Sequence, residues 1–142
     1  MARRTDRWRR CTWCALPVLS VALACTDAPI ASNAAALCSG LVQVSASDGT
    51  TPLFRWVPPC GVSYLSVTPV TPTDALEPPI WSVEVPESAP ARSGVRYGQT
   101  PRGGRTLRSA ARLVRGATYR VSVISTVGGD VRLGGGETVF IP

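Results

Sequence analysis

The chain has 142 residues, 44% of them hydrophobic, which suits one domain with one sizeable core. Its +6 formal charge suggests a nucleic-acid or membrane binder, yet five Arg against Asp6 crowd residues 1 to 10, and from Cys25 onward ten Arg face eight acids. All basic residues are Arg and there is no His, so the commonest general base and the imidazole metal ligand are excluded. After the basic head MARRTDRWRR comes CTWCALPVLSVALA, an apolar run of 14 residues, whereas a membrane-spanning helix needs about 20. A charged head, a short apolar middle and small residues at its end have the layout of a secretory signal peptide over residues 1 to 24. A core helix is the competing reading, but Pro17 and the missing polar face oppose it.

Val21, Ala22, Leu23 and Ala24 before Cys25 resemble the lipobox of bacterial lipoproteins. In that family the cysteine thiol receives a diacylglycerol, the preceding peptide is removed, and the new amino group takes a fatty acyl chain such as palmitate. Ala22 stands where the family favours Leu, and ordinary signal-peptide cleavage after Ala24 is the alternative. Two or three acyl chains anchor a protein firmly where one is marginal. An Asp directly after the cysteine retains family members at the inner membrane. Here Thr26 precedes Asp27, so in a cell with two membranes the resemblance implies the outer one, on its periplasmic or surface face. Residues 25 to 37 are then the lipidated N-terminus and a flexible tether, whose small polar residues would span roughly 20 Å as coil.

With Cys11 and Cys14 removed in the signal peptide and Cys25 given to lipid, Cys38 and Cys60 remain. Asp48-Gly49 is a turn signal between LVQVS and LFRWV, predicting a hairpin. Pairing centred on Gly49 sets Val44 opposite Phe54, Val42 opposite Trp56 and Cys38 opposite Cys60, within disulfide reach in an oxidising compartment. Two separate buried thiols are the alternative. Further strands are expected at VSYLSVT, WSVEV, TYRVSVIST and ETVFI, with turn residues between them. The segment 100 to 116 reads as an irregular loop with a short strand, although Leu107, Ala110, Ala111 and Val114 also recur at helical spacing.

PLFRWVPPCGVSYLSV resembles the second and third strands of a fibronectin type III domain, and LVRGATYRVSV resembles the run into its sixth. Arg115 and Ala117 depart from the residues usual in the family. The resemblance implies, over residues 38 to 142, an all-β sandwich of about seven short antiparallel strands. It also implies that Tyr119 forms a tyrosine corner, its ring buried and its hydroxyl bonded to backbone a few residues upstream.

Little in this sequence points to catalysis. A bridged Cys38 and Cys60 leave no thiol nucleophile, Glu84 and Glu87 flank Pro86 with no evident reason to converge, and no metal or cofactor motif is present. Trp81 alternates with Val83 and Val85 and reads as core, with ligand stacking as the alternative. The Pro-rich TPVTPTDALEPPI reads as a connection between strands, and unpaired sheet edges would permit strand addition. No acid lies between Glu87 and Asp130, so Arg102, Arg105, Arg108 and Arg112 are candidates for binding anionic lipid or glycan, with a solvated, ion-paired face as the alternative. Secretion and scarce aromatic residues in this stretch argue against nucleic acid. The expectation is a lipid-anchored envelope protein with a non-catalytic binding module, or else a structural subunit of an envelope complex.

Overall fold

A computed structural model describes residues 36 to 72 and 77 to 142. The residues expected to form a signal peptide, Cys25 and nearly all of the expected tether lie outside the described residues. Regular structure among the described residues is entirely β, in nine strands: β1 (Gly40–Leu41), β2 (Gln43–Ala46), β3 (Leu53–Val57), β4 (Tyr64–Pro69), β5 (Trp81–Glu84), β6 (Val95–Arg96), β7 (Arg105–Arg108), β8 (Tyr119–Val127) and β9 (Val131–Phe140). They form a six-stranded sheet in the order β1-β9-β8-β4-β5-β7 and a three-stranded sheet in the order β2-β3-β6. The expectation of about seven antiparallel strands is corrected on two points. The first strand is split between the sheets, and β1 runs parallel to β9.

Period-two alternation explains the long strands. Tyr119, Val121 and Val123 on β8 and Trp81 and Val83 on β5 are buried, as are Phe54 and Trp56 on β3. Phe54 of the small sheet stacks on Trp81 of the large one at 6.1 Å and meets Phe140 edge-on at 5.5 Å, so both sheets share one core. Trp81 is fully buried, which removes it as a stacking platform for a ligand. Among the described residues its indole nitrogen finds no hydrogen-bond partner.

The hairpin forms in a different register from the one expected. Val44 pairs with Trp56 and Ala46 with Phe54, a slip of two residues from pairing centred on Gly49. The loop is the reason: Ser47 N–H donates to the Leu53 carbonyl, and Leu53 N–H donates to Ser47 Oγ at 2.8 Å, closing a wider turn. Pro52 has no N–H to continue the ladder, and its carbonyl accepts from Tyr97 N–H. A two-residue slip leaves each side chain on its expected face, so Phe54 and Trp56 are still buried.

The Cys38–Cys60 disulfide forms, with Cα atoms 4.9 Å apart. Its partners are not opposed across the β2–β3 ladder as expected. Leu37 instead makes a parallel bridge with Gly61, Cys38 N–H donates to the Gly61 carbonyl, and Gly61 N–H donates to that of Ala36. Ala36, the first described residue, thus already bonds to the domain.

Beyond Cys38 the chain crosses from one sheet to the other. Gly40–Leu41 pairs with Gly134–Gly135, Val42 N–H donates to the Gly135 carbonyl, and Gln43 then opens β2 in the small sheet. The crossing lies directly on the glycines of β9. A Cβ at Gly136 would collide with the Val42 carbonyl oxygen, and one at Gly134 would come within 2.7 Å of the Cys38 carbonyl oxygen.

The strand directions define two poles. Leu37, the 58–63 connection, the 86–91 loop and the β8–β9 turn lie at the pole where the chain enters the domain. The 47–52 loop and residues 109 to 118 lie at the opposite, distal pole. Segment 100 to 116 contains the short β7 and then irregular chain, with no helix.

Candidate functional site

The distal pole is organised by two tyrosine hydroxyls that hold one irregular segment. Tyr97 O–H donates to the Ala111 carbonyl at 2.7 Å, and Val114 N–H donates to the Tyr119 hydroxyl at 3.0 Å. The Tyr119 ring is buried against Phe140. Ala111 N–H reaches the Ile80 carbonyl, and buried Leu113 anchors the segment between the two tyrosine bonds. Residues 109 to 118 lack a ladder of their own, so these bonds supply partners that a strand would otherwise provide.

An open groove of about 1070 Å³ follows from this arrangement. It is lined by Thr50 and Thr51 of the hairpin loop, by Tyr97 and Gly98, and by the run from Ala110 to Arg115. Arg96 beside it donates from Nη1 to the Thr51 carbonyl at 3.4 Å. Arg112 and Arg115 are exposed, and among the described residues neither makes an ion pair.

The four arginines expected to act together are dispersed. Arg102 lies in the turn before β7, towards the pole where the chain enters, whereas Arg112 lies at the distal pole. Arg105 is engaged with Glu84, Nη2 to Oε2 at 2.6 Å, an exposed pair that adds little to stability. Register places Arg108 opposite Ser82, on the outer side of the six-stranded sheet. Arg112 alone of the four lines the groove, where Arg115 joins it. Glu84 and Glu87, not expected to converge, both line a smaller depression of about 420 Å³ with Tyr64, Ile124 and Thr126. No three potential metal-ligating side chains gather among the described residues.

Tyr97 is the residue that sequence reading missed. The alternation Val95-Arg96-Tyr97 was the available signal, but the strand it belongs to is only two residues long. Burial first, and the neighbouring Tyr119 second, push the Tyr97 phenol from 10.0 up to about 12. It is therefore a lasting hydrogen-bond donor rather than a base. Because the ionised form is disfavoured only in the folded state, Tyr97's contribution is fully present below pH 10 and is lost as pH rises towards about 12. Thermal melts across this window are expected to show a steeper alkaline decline in the parent than in Tyr97→Phe; equal declines would remove Tyr97 as its source.

Compared with known protein families, curated proteins and solved structures, the chain matches none. The functional reading therefore rests on the residues themselves.

Proposed function

We propose that this is a lipid-anchored cell-envelope protein whose β domain is a non-catalytic binding module. The observation that carries the reading is the placement of the widest groove described above. It opens at the pole opposite Ala36, where the chain arrives from the lipobox-like Val21 to Cys25. Thr26 before Asp27 favours the outer membrane where there are two. The disulfide suits an oxidising envelope compartment. A fibronectin type III-like sandwich is the finer reading of the fold. It is supported by buried Trp56, whose indole N–H donates to the Cys60 carbonyl, and by the Tyr119 hydroxyl bond five residues upstream. The nine-strand pattern and the pairing of β7 with β5 are departures that a family assignment has to accommodate.

Cells fed radioactive palmitate are expected to label the protein, and Cys25→Ser is expected to take up none; label retained by the variant would rule out this anchor. A second reading, as a structural subunit of an envelope complex, draws on exposed apolar side chains of β1, β9 and the residue after it: Leu41 (91% exposed), Val131, Val139 and Ile141. Co-purification of a stoichiometric partner favours that reading, and its absence together with capture of an envelope ligand favours the binding module.

A further inference from the structure

We infer that the distal groove binds an anionic polysaccharide, with Arg112 and Arg115 receiving its charged groups and Thr50 and Thr51 lying against its hydroxyls. The inference rests on the binding-module reading and adds a ligand class and a site to it. A volume of about 1070 Å³ is at the upper end of the range for ligand sites, and its open form admits a chain rather than a single small ion. Its charge is of one sign along the 110–115 wall, where two exposed guanidinium groups have no ion-pair partner among the described residues. Guanidinium offers paired donors that match carboxylate or phosphate oxygens. Thr50 and Thr51 line the same groove with groups that both donate and accept, as a sugar chain requires.

The wall is also fixed before any ligand arrives. The bonds from Tyr97 to Ala111, from Val114 to Tyr119 and from Ala111 to Ile80 hold the backbone on both sides of Arg112, which lowers the ordering cost of binding. Tyr97 is only 8% exposed, so its ring gives no stacking platform and recognition falls to charge and hydrogen bonding. The open form of the groove and the hydroxyls of Thr50 and Thr51 among its lining suit a sugar chain, and the vesicle arm of the test distinguishes a lipid headgroup.

The test uses protein expressed from the full-length sequence and purified in detergent, with polygalacturonate, neutral dextran and phosphatidylglycerol vesicles as probes. The parent is expected to bind polygalacturonate, more weakly as salt rises, and to ignore dextran. Arg112→Gln with Arg115→Gln is expected to weaken that binding about ten-fold or more with an unchanged melting temperature, since each lost charge-assisted bond is strong. Arg102→Gln with Arg108→Gln, outside the groove, is the control and should bind like the parent. Equal binding by the groove variant and the parent overturns the site while leaving a glycan-binding module. Vesicle binding beyond that of the anchor, seen as a loss in the groove variant relative to the parent and without polygalacturonate binding, overturns the ligand class. A parent that binds no polygalacturonate overturns the inference; if chemical crosslinking in cells still captures another envelope component, the binding-module reading survives, and if it captures none, both fail.

Discussion

Gly136→Ala is expected to destabilise the domain by about 3 kcal/mol, towards the top of the range for overpacking a tight site. The added methyl group would meet the Val42 carbonyl oxygen, and backbone has less room to move aside than a side chain. Gly134 is equally confined, between Gly40 and Cys38 backbone atoms, and Gly135 adds a φ of +152° that only glycine adopts readily. Gly128 provides the contrast. Its φ is +64° with open space around the missing Cβ, so Gly128→Ala should cost only about 1 kcal/mol of backbone strain. Denaturant melts of the two variants test the difference: similar losses would mean that the β1–β2 crossing is not tightly seated on β9.

Removal of the Cys38–Cys60 bridge by Cys38→Ser with Cys60→Ser is expected to cost about 3 kcal/mol in the chain-entropy model. The bridge closes a separation of 22 residues, which sets that magnitude. It also holds the connection that presents the Cys60 carbonyl to Trp56 Nε1 at 2.8 Å, so Trp56 fluorescence should change before global unfolding in the reduced protein. A double variant with the parent's denaturation midpoint would show that hydrogen bonding at Gly61 alone secures the N-terminal segment.

How much of this was legible depended on whether the signal was local. LFRWV and TYRVSVIST alternate between core and surface, and burial of Phe54, Trp56, Val121 and Val123 follows directly from that alternation. The cysteine pairing was legible as well, though its geometry was not. The expected register ignored the Ser47 side chain and the missing donor of Pro52, and nothing local says that Leu37 runs parallel to Gly61. Strand β6 was hidden because it is two residues long, and β7, expected only as a short strand somewhere within 100 to 116, could not be placed because all four of its residues are exposed. The groove draws on residues near 50, 97 and 112, so sequence proximity grouped Arg102 with Arg112 where the fold separates them, and overlooked Arg115.

The disulfide also determines how the domain would carry mechanical load. If the chain is anchored at Cys25 as proposed, a pull from there reaches Cys38 before it reaches β1, and there it passes through a covalent bond to Cys60, three residues after β3. Among the described residues, only the hydrogen bonds linking residues 36 to 38 with Gly61 lie at or ahead of that point. Tension is thereby diverted from the two-residue β1, which would otherwise be the first strand peeled from its neighbour. With such an anchor, the oxidised domain would keep its distal pole folded under forces that strip the first strand from the reduced one.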